Sequence, residues 1–129
     1  MGDIIFDRIP GPIVTEHENS RTGMSADALR RGIDDHLRYT LGRPAALLEH
    51  KHYYQALSLA VRDRIQDRWI KTTQTYLATS AKVACYLSAE FLLGPHLGNN
   101  LLNLGLEDEA RAALAEMGQD FDEVLGCEE

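Results

Sequence analysis

Nowhere in the 129 residues do apolar side chains run long enough to cross a bilayer, and no basic segment followed by a long apolar run opens the chain. Export and membrane insertion both lack a signal, and no membrane partner is expected. Gly2 invites an acylation check, but Phe6 stands where that pattern wants Ser or Thr. Cysteine is scarce. Cys85 and Cys127 lie far apart without metal-type spacing, which suits reduced thiols in a cytoplasmic protein better than a disulfide framework. Positive charge is in deficit too, with 13 Lys and Arg against 20 Asp and Glu for a net charge of −7. Binding to a phosphate backbone needs clustered cations, so nucleic acid is not an expected partner. From Glu107 onward nine carboxylates face only Arg111, which reads as a solvated acidic region.

Signatures of self-contained catalysis are also missing. His50 and His52 are two residues apart and would point to different sides of a helix, whereas zinc-binding helices use an i, i+4 pair, so no metal site is expected. The Asp34-Asp35 and Asp120-Asp122 pairs read as helix-end charges, because no spacing places them in a shared pocket that would raise a carboxyl pKa. Ser88 and Cys85 lie in an apolar run with no sharp glycine elbow and no nearby histidine, so core packing is the default for both.

What is present is helical periodicity. With 44% hydrophobic and 26% charged residues the composition suits one ordinary core. Residues 1–23 show no sustained period and are punctuated by Pro10-Gly11-Pro12, so they read as a mobile arm with a short apolar anchor at Ile4, Ile5 and Phe6. The folded part begins with Ser25 as N-cap, and Leu29, Ile33, Leu37 and Leu41 repeat on one face until Gly42 and Pro44 close the helix. A long second helix is predicted from about His50 to Tyr76, with no strong cap at its start. Its stripe is Tyr54, Leu57, Val61, Ile65, Trp69 and Tyr76, and most of it is expected to lie in the core. Val83-Ala84-Cys85-Tyr86-Leu87 reads as a short buried strand. Leu97, Leu101 and Leu104 predict a third helix, and Leu106, Ala110, Ala113 and Met117 a fourth, ended by Gly118. A last turn or two, over Phe121 to Leu125, carries capping-box spacing between Asp120 and Glu123. The fold class is therefore mainly α with one or two short strands, and a lone strand makes that architecture unfinished.

Taken in order, these segments resemble the opening of the α-glucan (glycogen/starch) phosphorylases. The resemblance rests on His36-Leu37-Arg38-Tyr39-Thr40-Leu41-Gly42-Arg43, then His52-Tyr53-Tyr54-Gln55-Ala56-Leu57, Val61-Arg62-Asp63-Arg64-Ile65 and Arg68-Trp69-Ile70-Lys71-Thr72. Tyr86-Leu87-Ser88-Ala89-Glu90-Phe91-Leu92-Leu93-Gly94 with Leu97-Gly98-Asn99-Asn100-Leu101-Leu102-Asn103-Leu104 is its most specific part and resembles bacterial members. The resemblance implies the N-terminal portion of an α/β two-domain glycosyltransferase, with residues 24–129 an incomplete N-terminal domain. The parent reaction is phosphorolysis of terminal α-1,4-glucosyl units to glucose 1-phosphate, and the full-length enzyme takes α-glucan and phosphate and is a homo-oligomer. It depends on pyridoxal phosphate, whose lysine belongs to the distant C-terminal half, so no cofactor is expected on these 129 residues and the chain alone is expected to be inactive.

Among these residues only Glu90 matches a family position near the sugar site, in a supporting role. The competing reading is a strand-end carboxylate bonded to nearby backbone. Leu92 stands where animal enzymes carry a tyrosine near the cofactor, and Leu77 where they place the tyrosine that stacks on adenine. Ser20 lies beside Glu16 and Glu18 rather than in a basic arm, so the resemblance carries no expectation of animal-type control by AMP or serine phosphorylation. A second reading stays open, that of a free-standing helical protein-interaction module derived from a phosphorylase.

Overall fold

The computed structural model describes residues 18–128, and its regular elements are helical. Helix α1 spans Ala26–Asp35, α2 His50–Thr79, α3 Leu97–Leu104, α4 Glu107–Glu116 and α5 Phe121–Leu125. A π-helical turn, His36–Thr40, prolongs α1, and a short 3₁₀ turn, Ala45–Leu47, leads toward α2. Among the described residues no helix is long and apolar enough to cross a membrane.

Each start and stop has a local cause. Ser25 caps α1 by accepting from the Ala28 amide at 3.2 Å, and Asp120 caps α5 by accepting from the Asp122 and Glu123 amides at 2.9 and 3.0 Å. The start of α2 does carry a cap, because the Glu49 amide donates to His52 Nδ1 at 3.0 Å. A histidine is not a residue that cap rules single out, so no local cue marks this start. At its other end α2 runs three residues beyond Tyr76, and Ser80 closes it in the left-handed region at φ 48°.

The core gathers α1, the first half of α2 and the three C-terminal helices. Leu29, Ile33 and Leu37 meet Ala56, Leu57, Ala60 and Val61, with Leu101, Leu106, Ala110, Leu114 and Val124 completing the interior. The small residues of α2 allow α1 close approach, and Gly32 extends this. A Cβ there would lie 2.6 Å from the Ser20 carbonyl oxygen, which no side chain tolerates. Across the outer seam Arg30 of α1 pairs with Glu116 of α4 at 3.3 Å, and Arg111 of α4 stacks its guanidinium 4.2 Å from the Phe121 ring of α5.

The segment Glu18–Gly23, the end of the expected arm, is bound to this bundle. Arg64 of α2 is 1% exposed and donates from Nε to the Gly23 carbonyl at 2.7 Å, from Nη1 to Ala60 at 2.7 Å and from Nη2 to Ser20 at 3.2 Å. Burial pulls its guanidinium below the ordinary value, and the Asp63 and Glu18 carboxylates counter that by favouring the charge. Glu18 in turn accepts from the Met24 and Ser25 amides at the head of α1, and its own carbonyl accepts from Arg31 at 2.5 Å. The apolar anchor expected at Ile4–Phe6 lies outside the described residues.

Two expectations are corrected. Val83–Leu87 forms no strand and is not buried: the segment is irregular, with Val83 71%, Tyr86 92% and Leu87 93% exposed. Its side chains have the strand pattern, but among the described residues there is no second strand to take its N–H and C=O groups, and strands exist only in pairs. The stripe of α2 is likewise buried only as far as Val61. Ile65 is at the margin, while Trp69 and Tyr76 are 64% and 52% exposed, because α2 is 30 residues long and projects past the helices it packs on. A periodic stripe reports which face is apolar; it does not report how far the partner surface extends.

Two outcomes follow from the Arg64 and Glu18 contacts. Arg64→Met keeps the apolar stem and removes the donors, leaving buried carbonyls unpaired, and should cost about 2–3 kcal/mol in a urea melt followed by far-ultraviolet circular dichroism. For Glu18, hydrogen bonding from Ser25 and then from the Met24 amide holds the carboxyl below its ordinary value of 4.5. A depressed folded-state pKa gives stability that is complete above about 4.5 and lost as pH falls through the folded value. The gap in melting temperature between the wild type and Glu18→Gln should therefore be constant from neutral pH down to about 4.5 and shrink below it.

Candidate functional site

The chain leaves the bundle along α2 at Ile65 and returns to it at His96, and both residues line one cavity of about 290 Å³ with Tyr54, Ser58, Arg62 and Glu128. The geometry at its floor is set by α3. Gly94, at φ 102°, turns the incoming chain, and the exposed amides at the head of α3 then need an acceptor. The Glu128 carboxylate supplies it, taking the His96 amide at 2.7 Å and the Leu97 amide at 3.1 and 3.2 Å. A residue 31 positions away thus caps the helix, with the negative charge that a helix N-terminus favours. Burial, and the Glu128 carboxylate beside it, push the Tyr54 phenol above its ordinary value. Ser58 Oγ is buried in the same wall and makes no hydrogen bond of ordinary geometry. The anion position at this helix head is therefore filled by the chain's own carboxylate.

A second polar cluster lies between the π-helical turn and α2. His36, 5% exposed, has Nδ1 2.8 Å from Thr40 Oγ1 and Nε2 3.0 Å from Asp63 Oδ2, and Asp63 also pairs with Arg21 at 3.0 Å. The cluster ties α1 to α2 and to the incoming segment. His36 and Asp63 are both part of the quoted resemblance, yet nothing in their sequence spacing marks them as partners 27 positions apart.

Glu90 lies in the exposed stretch between α2 and α3. Its amide donates to Ser88 Oγ at 3.1 Å, and among the described residues its carboxylate makes no ion pair. Cys85 and Ser88 are exposed beside it, contrary to the expectation of core packing, for the reason already given for the strand. The paired aspartates are helix-end charges: Asp34 faces Arg38 at 3.9 Å, Asp35 accepts from Ser20 Oγ at 3.1 Å, Asp120 caps α5, and Asp122 faces Arg111 at 3.7 Å. His50 turns toward Glu123 at 3.4 Å while His52 caps α2, so the two rings diverge. Among the described residues no three His, Cys, Asp or Glu side chains are gathered as a metal would require.

A Schiff-base cofactor needs an enclosed lysine whose amine can lose its proton. The sequence offers Lys51, Lys71 and Lys82, all exposed, the first two in surface pairs with Glu49 at 2.7 Å and Asp67 at 2.6 Å. These residues do not fit pyridoxal phosphate.

No family model matches the chain. Individual relatives do. The glycogen phosphorylase of Synechocystis sp. is 47% identical over 112 residues, covering 87% of this chain and 13% of its own length. The brain form of glycogen phosphorylase from Bos taurus is 37% identical over 101 residues, and the muscle form from Rattus norvegicus 38% over 101, each covering 78% of this chain and 12% of its own length. The aligned stretch is too long for chance similarity of a few helices, and this chain is a homologue of the glycogen phosphorylases that corresponds to a segment of their polypeptide.

Proposed function

We propose that the chain serves as an N-terminal segment of an α-1,4-glucan phosphorylase, supplying scaffold around the sugar site and none of the cofactor chemistry. The observation that carries this is the 47% identity along 87% of the chain. In the parent reaction, terminal α-1,4-glucosyl units are cleaved by phosphate to glucose 1-phosphate in the cytoplasm, by a homo-oligomeric enzyme whose pyridoxal phosphate supplies the proton-handling phosphate. None of that chemistry is routed through residues 18–128. Their part is structural. The bundle anchors a projecting arm, made of the distal half of α2 and residues 80–95, and the arm presents Glu90 amid apolar neighbours. Glu90 is then a positioning carboxylate, one that orders sugar hydroxyls or adjacent backbone without moving a proton.

The alternative of a free-standing helical interaction module draws on one observation. The bundle closes its own core, with Leu29, Ile33, Leu57, Leu101, Leu106 and Leu114 fully buried, so it does not need further chain to bury them. The apolar arm weighs against it as a complete account, since a module of this kind would not need so much uncovered surface.

A graft tests the proposal. Replacing the matching segment of the Synechocystis enzyme with residues 18–128 should yield a soluble enzyme that releases glucose 1-phosphate from maltodextrin within about tenfold of the parent, a difference of about 1.4 kcal/mol in barrier. A soluble, cofactor-loaded graft without activity would refute it. Within an active graft, Glu90→Gln should lower kcat/KM by about tenfold or more without displacing the pH optimum, whereas a proton-transfer residue would move the profile. The 129-residue chain by itself should give no phosphorolysis and no visible absorbance from a bound Schiff base when mixed with pyridoxal phosphate; either signal would contradict the scaffold role.

A further inference from the structure

Glu90 belongs to a stretch with little to hold it in place. Among the described residues, positions 82–95 take part in only two hydrogen bonds: the Glu90 amide donates to Ser88 Oγ at 3.1 Å, and the Leu92 carbonyl accepts from His96 Nε2 at 3.1 Å. A carbonyl can only accept, so in this contact Nε2 carries the proton. The first bond is internal to the stretch. The second leads out of it, because His96 stands at the head of α3, and α3 packs on the core through Leu97 and Leu101. The opposite route, from Glu90 back to α2, runs through Val83–Leu87, where no amide or carbonyl is bonded among the described residues. The placement of Glu90 is therefore set from the α3 side.

The His96 ring is free to reach Leu92 because capping is done by another residue. His96 is the N-cap of α3, a position where a Ser, Thr, Asp or Asn side chain turns inward to take the free amides, yet its own side chain makes no such bond. Glu128 takes the His96 and Leu97 amides instead. Its position is fixed in turn by the bundle: the Glu128 amide donates to the Leu125 carbonyl at 3.1 Å in the last turn of α5, beside the fully buried Val124, and the carboxylate lies against the Tyr54 phenol of α2. Gly94 completes the path. At φ 102° a glycine meets no Cβ penalty, and the turn it makes brings the His96 ring back onto the carbonyl four residues earlier. Contacts thus run unbroken from the core through Glu128, the head of α3 and His96 to Leu92, two residues from Glu90.

We propose that Glu128 and His96 are positioning residues for Glu90: Glu128 sets the head of α3 on the bundle, and the His96 ring fixes the backbone just past Glu90, so that its carboxylate is presented to a sugar hydroxyl from one place. Neither residue touches the substrate. A misplacement of about 1 Å can cost about a hundredfold in rate, which makes one hydrogen bond two residues away enough to matter. The inference rests on the phosphorylase reading for what Glu90 does, and on the contacts alone for how it is held.

How Glu90 is held can be read in the 129-residue chain from NMR relaxation of its backbone amide, where an order parameter of about 0.85 marks rigid backbone and one under about 0.6 flexible backbone. In wild type Glu90 should be more ordered than Val83–Leu87. His96→Leu and Glu128→Ala should each loosen it to the level of that segment, while His96→Gln, which keeps an N–H donor in the place of Nε2, preserves the order. Both side chains lie outside the core, so the bundle should melt as in wild type. The consequence is read in the active graft. There His96→Leu should lower kcat/KM by about three- to tenfold, His96→Gln should restore most of the loss, and His96→Leu added to Glu90→Gln should cost nothing further, because coupled residues are not additive. A wild-type Glu90 as mobile as Val83–Leu87, a His96→Leu chain that is no looser, losses that multiply in the double variant, or an active graft indifferent to Glu90→Gln would each overturn the proposal. An inactive graft counts against the scaffold reading, and the relaxation of the 129-residue chain then decides by itself whether His96 and Glu128 hold Glu90.

Discussion

The relation of the first helix to the second depends on the Arg64 guanidinium, buried in the bundle wall and spent on the backbone carbonyls of Ser20, Gly23 and Ala60. A guanidinium has five donors in a rigid plane and no acceptor, so it can hold several strands of backbone at fixed angles. Here it locks the segment before α1 against α2, and from that follow the Glu18 cap on α1, the approach of the Ser20 carbonyl to Gly32 and the alignment of Asp63 with His36. A charge taken from water is kept favourable by this full use of its donors together with the nearby Asp63 and Glu18 carboxylates. The same three bonds fix where the segment before α1 meets α2.

Helix positions were largely readable from the sequence because each helix carries its own period and caps. Leu29, Ile33 and Leu37, then Leu57 and Val61, then Leu101, Leu106, Ala110 and Ala113 are buried where their spacing placed them. What the sequence could not supply was anything decided by pairing across distance. Nothing in its spacing marks Arg64, yet it is among the most buried side chains. The link from Glu128 to the head of α3 joins residues about thirty positions apart, and no local rule connects them. The strand misreading has the same origin: Val83–Leu87 has strand chemistry, but a strand is a property of two segments and only one is described.

The site was legible to a lesser degree. Glu90 was singled out through resemblance alone, and it sits in the exposed arm with its amide bonded to Ser88. Among residues 18–128 its carboxylate has no ion-pair partner, so the geometry by itself does not single it out. The identity to glycogen phosphorylases carries the family assignment, and the geometry carries the division between a self-packed bundle and an apolar arm.

The arm starts and finishes at the same place. Ile65 and His96 face one small cavity, and the Glu128 carboxylate pins the returning end to the helix it caps. Seen from the bundle, everything between them is a closed loop whose entropic cost rises only with the logarithm of its length, about 0.6 kcal/mol for each doubling. The bundle is thus nearly indifferent to how long the arm is. Residues could be gained or lost there over evolutionary time, changing what the arm reaches, while the anchor that carries it folds the same way.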